Sequence, residues 1–235
     1  MLWLLLRANP QGRIAMGRIV AFLVAEIALC GLAFEAHAQI PSWGPWKTRP
    51  AITVISGEED SRLPFVDKAV DFWNGQFIRM GSAFRLGPIT HRTGDIPAHE
   101  LNSRYRSPTT QSAQERFDLV ESLHSINGDI LIVMTNSTQG SFATMLPRPG
   151  RKVVIAIRRL QAATISDALN VIAHELGHAI GLGHNNDDGA LMCGHSFCQP
   201  GRPRDRIQPL SDAEIVRLLA WYPRNWKPDY PMRYP

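Results

Sequence analysis

A chain of 235 residues, 44% hydrophobic and 20% charged, has the composition of one ordinary globular domain with appendages, which excludes disorder over most of its length. Its formal net charge of +4 is a mild basic excess. There is no basic helix, no aromatic-interleaved basic patch and no nucleic-acid motif, so the excess reads as a solvated surface and no nucleic-acid partner is expected.

The first 38 residues differ from the rest. Arg7, Arg13 and Arg18 precede an apolar run from Ile19 to Phe34, and Ala36-His37-Ala38 matches a small-x-small cleavage pattern. This is the pattern of a secretory signal peptide over residues 1–38, cut before Gln39. The run is short for a bilayer span and carries Glu26, which makes an uncleaved membrane anchor the weaker reading. Translation starts at Met1 or Met16. The expected destination is outside the cytoplasm, secreted or periplasmic. Cys30 leaves with the signal, and Cys193 and Cys198 remain. An even pair in an exported domain suggests a disulfide closing a small loop; the alternative is two free thiols.

After a Pro- and Trp-rich lead, AITVIS (51–56) reads as a first strand. A helix is expected over 63–77, where Phe65, Val66, Ala69, Val70, Phe72 and Trp73 fall at helical spacing. GSAFRLGPI (81–89) reads as a second strand. Residues 91–127 are polar and irregular, with room for a helix in QERFDLVESLHSI. GDILIVM (128–134) and RKVVIAI (151–157) read as buried strands. Between them Phe142, Ala143, Thr144, Met145 and Leu146 form a candidate edge strand, ended by Pro147 and Pro149. A helix over 166–181 is capped by Ser166, with Leu169, Ile172, Ala173, Leu176 and Ile180 on its apolar face. The last helix opens with a capping box of Ser211 and Glu214, carries Ile215, Leu218, Leu219 and Tyr222 at helical spacing, and stops at Pro223. The tail 224–235 is expected to be irregular.

The most informative stretch is HELGHAIGLGHNNDDGALMCG (174–194). His174 and His178, four residues apart on a helix, stack on one face, so two imidazoles can reach one ion. Glu175 lies beside the first and can act as a base toward water at that ion without being a ligand. A catalytic zinc site needs three protein ligands and an open position. Gly181 permits a left-handed backbone that ends the helix, after which the chain can return His184 as third ligand. The spacing H-E-x-x-H-x-x-G-x-x-H is thus a statement about geometry. The bland alternative is a polar helix whose histidines pack or cap.

HELGHAIGLGH followed by ALM resembles the metzincin metalloproteases and, within them, the matrixin group. The resemblance implies an α+β zincin/metzincin fold: a twisted mixed β-sheet, an active-site helix and a small C-terminal subdomain after the third histidine. It implies one catalytic Zn²⁺ on His174, His178 and His184, and a Met-turn placing Met192 beneath the ion as a hydrophobic floor, not as a ligand. GDILIVM resembles the strand before the substrate-binding edge strand of that group, and PLSDAEIVRLLAWYP resembles its terminal helix. The likeness runs over about residues 50–223 and is specific over 169–193. A catalytic domain is therefore expected over 39–223.

The departures also carry expectations. The structural zinc site and calcium loops of animal matrixins have no clear counterpart, so neither structural calcium nor a second zinc is indicated. His91, His99 and His124 read as ordinary surface or core histidines. No cysteine-switch propeptide is visible. CGHSFC is unlike the usual continuation of the Met-turn, and His195 as a fourth ligand would block catalysis. The expected function is an exported zinc endopeptidase acting on peptide or protein, with Glu175 as general base and no stable membrane span after signal cleavage. Two alternatives stay open: a non-catalytic zincin-fold binding or adhesion protein, and a peptidase of cell-wall peptides. Substrate would pair in extended form with the 142–146 edge. Residues 190–198 would wall the pocket beyond the scissile bond. Arg202, Arg204 and Arg206 read as a solvated loop, or else favour acidic groups there.

Overall fold

In the computed structural model the described residues are 44–102, 112–147, 150–160, 167–194 and 206–229. The expected signal peptide, Ser166, His195, Cys198, Arg202 and Arg204 lie outside them.

Three apolar runs make the middle of a five-stranded sheet. They are β1 (Ile52–Ser56), β3 (Ile130–Met134) and β5 (Val153–Ile157), and every residue of each is buried. Burial on both faces is what a parallel strand covered by helices requires, which is why these runs are continuous rather than alternating. The strand order is β2-β1-β3-β5-β4. β2 (Ile89–Thr93), β1, β3 and β5 run parallel, and β4 (Phe142–Met145) is antiparallel to β5 at the edge. Successive side chains go to opposite faces and supply two cores. Ile52, Val54, Ile130, Ile132, Ile155 and Ile157 pack with helices α1 (Leu63–Arg79) and α3 (Asp167–Ala179). Ile55, Leu131, Val133, Val154 and Ala156 pack with helix α2 (Ala113–Ser125).

The helices fall close to where their patterns place them. α1 buries Val66, Ala69, Val70, Trp73 and Phe77. α2 has a capping box of Ser112 and Glu115. The last helix, α4 (Asp212–Trp221), has the expected box of Ser211 and Glu214. Among the described residues no helix is long and apolar enough to cross a membrane.

Residues 81–89 are not a strand, contrary to the sequence reading. The second strand is Ile89–Thr93, displaced into a polar stretch. Ser82, Phe84 and Leu86 are buried as alternate residues of a strand would be. Their backbone groups, however, bond elsewhere. Leu86 N–H donates to Asn74 Oδ1 at 2.8 Å, Asn74 Nδ2 donates to the Leu86 carbonyl at 3.2 Å, and Phe84 N–H donates to Ser82 Oγ at 3.2 Å. The segment is therefore held by an α1 side chain instead of a ladder. β4 is also one residue shorter than expected: Leu146 lies beyond it, buried, and donates to the Lys152 carbonyl at 2.9 Å.

Both chain ends of the described domain converge on α3. Trp46 is buried, its indole donates to the Ala179 carbonyl at 2.9 Å, and its amide donates to Tyr222 Oη at 3.1 Å. Tyr222 Oη in turn donates to the Ile180 carbonyl at 3.0 Å. The tail is irregular through residue 229, as expected, yet Trp226 is buried edge-on against Phe84 at 5.1 Å.

Candidate metal centre

Helix α3 puts His174 and His178 one turn apart and ends at Ala179. Its end is a Schellman closure. Leu182 N–H donates to the Gly177 carbonyl and Gly181 N–H to the His178 carbonyl, each at 2.9 Å, with Gly181 at φ +105°. A Cβ on Gly181 would also overlap the Trp221 ring, within 2.6 Å of Cε3. Glycine is required there twice, by conformation and by space. The turn delivers His184 back toward the helix.

The three Nε2 atoms of His174, His178 and His184 meet in a triangle with every side 3.1 Å. His174 Nδ1 lies 2.7 Å from the Leu191 carbonyl and His178 Nδ1 lies 2.8 Å from the Leu182 carbonyl. A carbonyl only accepts, so each Nδ1 carries the proton and each of these Nε2 atoms presents a lone pair to the centre. Mutually facing lone pairs suit a cation. The centre of such a triangle is about 1.8 Å from each nitrogen, close to the usual Zn–N length of about 2.0–2.1 Å, so the three nitrogens would fit a zinc ion. Among the described residues this is the one group of three or more possible ligands; His91, His99 and His124 are not in it.

The surroundings keep His174 and His178 unprotonated. Burial holds His174 down to about 4, with the Leu191 hydrogen bond opposing and the His184 charge adding. Burial likewise holds His178 down to about 3, helped by its histidine neighbours. Glu175 is 6% exposed, and burial pushes its carboxyl up to about 8. Its Oε2 is buried and has no hydrogen-bond partner among the described residues. Such an atom is costly unless a donor arrives.

Met192 is fully buried in the α1/α3 core. A Cβ on Gly177 would overlap its Sδ and approach Cε and Trp73 Cζ2, each within 3.1 Å. Met192 thus packs against the bare face of α3 at Gly177. Behind the third ligand, a Cβ on Gly194 would overlap the His184 ring, lying 2.7 Å from Nδ1. Asn185 bridges to Cys193, with Asn185 N–H donating to the Met192 carbonyl at 2.9 Å and Gly194 N–H to the Asn185 carbonyl at 3.0 Å. The sequence reading missed Gly177 and Gly194. The only local signals were a glycine inside a helix and one just after the Met-turn.

Strand β4 lies beside α3 and has no strand on its outer side among the described residues. Ala143 packs toward the α3 core, Phe142 toward the other, and Met145 is 38% exposed. Of the three arginines, only Arg206 is described, and it is exposed. The segment that follows it is held to α3 by Asn170, whose Nδ2 donates to the Arg206 carbonyl at 3.0 Å and whose Oδ1 accepts from Gln208 N–H at 2.8 Å.

No curated protein matches the chain. Among solved structures, metalloproteinase-II from Bacteroides fragilis superposes with a TM-score of 0.44 at 15% identity, over 77% of this chain and 55% of that one. Myroilysin superposes with a TM-score of 0.39 at 13% identity, over 77% of this chain and 86% of that one. The chain thus spans about half the length of the Bacteroides fragilis protein. The sequence model of the matrixins matches residues 79–208, more than half of the 235 residues, and that span holds the three converging histidines, Glu175 and Met192. The chain belongs to the matrixin family.

Proposed function

We propose that this protein is an exported zinc endopeptidase. One observation carries the reading. The three Nε2 atoms lie 3.1 Å apart, and Glu175, next to His174 in the chain, is buried with no hydrogen-bond partner for its Oε2 among the described residues. A site that bound metal for stability alone needs no such base next to an open position.

His174, His178 and His184 would hold the ion. When bound, zinc supplies Lewis acidity toward a carbonyl and makes water more acidic. Glu175 Oε2 accepts the proton of the attacking water and then passes it to the leaving amine. No covalent enzyme intermediate is needed. The substrate lies extended along the outer edge of β4, where Phe142, Ala143, Thr144 and Met145 have no neighbouring strand among the described residues. Export rests on the arginine-flanked apolar run and the small-x-small pattern before Gln39. It is supported by Cys193 being disulfide-bonded, with Cys198 as its proposed partner.

The test is hydrolysis of an unstructured protein such as casein by wild type and Glu175→Ala, each with and without chelator. Cleavage by wild type alone, lost to chelator and restored by zinc, is expected. A Glu175→Ala variant that binds zinc and still cleaves at the wild-type rate overturns the mechanism.

A further inference from the structure

Glu214 reads in the sequence as half of a capping box. Its burial sets it apart from an ordinary cap: it is 5% exposed, whereas the matching Glu115 of α2 is on the exposed side. Its two oxygens face different elements. Oε2 accepts from Ser211 N–H at 2.7 Å, which is the cap. Oε1 accepts from Asn185 Nδ2 at 2.5 Å and from Met192 N–H at 3.3 Å. Asn185 follows His184 directly, and Met192 packs against α3 at Gly177.

The amide of Asn185 is committed at both ends. Its Nδ2 goes to Glu214, and its Oδ1 accepts from Asp187 N–H at 2.9 Å, fixing the turn after His184. Asn185 N–H donates to the Met192 carbonyl at 2.9 Å. One buried carboxylate oxygen therefore joins the segment that follows His184 to the Met192 backbone and ties both to α4. His184 is the one ligand not carried by α3, so its place depends on these bonds and not on helix geometry.

We propose that Glu214 is a positioning residue of the metal centre, holding His184 in place through Asn185 and the Met192 amide. The inference rests on His184 being a metal ligand. Bonds of this outer kind contribute about 10- to 100-fold to metal affinity.

The test uses the full chain and zinc alone. Zinc affinity is measured by chelator competition, and the absorption of the cobalt-substituted protein reports ligand geometry. Three variants separate the roles: Glu214→Ala removes both functions, Asn185→Ala leaves the cap and removes the link to Glu214 together with the bond from Asp187 N–H, and Ser211→Ala removes only the cap hydroxyl. The expected result is zinc affinity about 10- to 100-fold lower and an altered cobalt spectrum for Glu214→Ala and Asn185→Ala. Ser211→Ala lowers Tm and leaves affinity and spectrum at wild-type values. If Glu214→Ala does not fold, Asn185→Ala decides. Wild-type affinity in Asn185→Ala, or equal weakening in Ser211→Ala, overturns the inference. Wild type that binds no zinc overturns the metal reading beneath it, a distinct result.

Discussion

Met192 packs on Gly177. Its Sδ occupies the space where a Cβ at 177 would sit, with Trp73 Cζ2 closing the other side at 3.1 Å from that point. The Met-turn and the ligand helix are thus fitted to each other across one missing methyl group. Alanine normally favours a helix over glycine by about 1 kcal/mol. Here that gain is opposed by overpacking of about 1–3 kcal/mol. We expect Gly177→Ala to lower stability in denaturant unfolding and Met192→Ala to offset part of that loss when the two are combined. Additive effects in the double variant would mean the two residues do not share the contact.

Gly181→Ala should cost more than a contact. Its φ of +105° is outside the range that L side chains favour, and the Trp221 ring fills the space where a Cβ would go. The left-handed strain alone is about 1–2 kcal/mol. Adding Trp221→Ala removes the overlap but leaves the strain, so the double variant should still bind zinc more weakly than Trp221→Ala does. Equal zinc affinity in those two proteins would show that the turn does not set the third ligand.

The Glu175 carboxyl gives the metal-free protein a defined pH dependence. Its folded value of about 8 is above the ordinary 4.5. Stability from the protonated group is therefore full below 4.5 and is lost as pH rises through 8. His174 and His178 act in the opposite sense, losing stability as pH falls from 6.5 through about 4 and about 3. An amide at 175 stays neutral throughout. Glu175→Gln should raise the Tm of chelated protein more at about pH 8 than at about pH 5. The same Tm change at both values would mean that burial does not raise this carboxyl.

Trp46 should stabilise the end of the ligand helix. It packs into the main core and donates to the Ala179 carbonyl, one of the terminal acceptors of α3. Trp46→Ala should cost about 3–5 kcal/mol, the range for a buried aromatic. Trp46→Phe keeps most of the bulk and loses the indole donor, so about 1 kcal/mol of the loss should come from that bond. Unfolding curves that coincide for Trp46→Phe and Trp46→Ala would place the whole effect in the hydrogen bond.

Much of the site was legible in the residues because its geometry is local. The four-residue spacing of His174 and His178 is one helical turn, and Gly181 marks a place where the chain can reverse before His184. The three central strands were legible for a similar reason, since runs such as ILIVM and VVIAI are apolar on both faces. β2 was not, because ITHRT is polar and exposed and becomes a strand only by pairing with β1. Residues 81–89 misled because alternation of buried side chains does not say where the backbone bonds go, and Asn74 takes them.

The sequence by itself determined which groups can meet at the ion, since helix period and one left-handed glycine act within eleven residues. Tertiary structure alone decided what holds them there. Met192 on Gly177, Gly194 behind His184 and Glu214 on Asn185 join residues 15, 10 and 29 positions apart. Contacts at such separations are set by how helices and turns pack, and no local propensity encodes which side chain will face which.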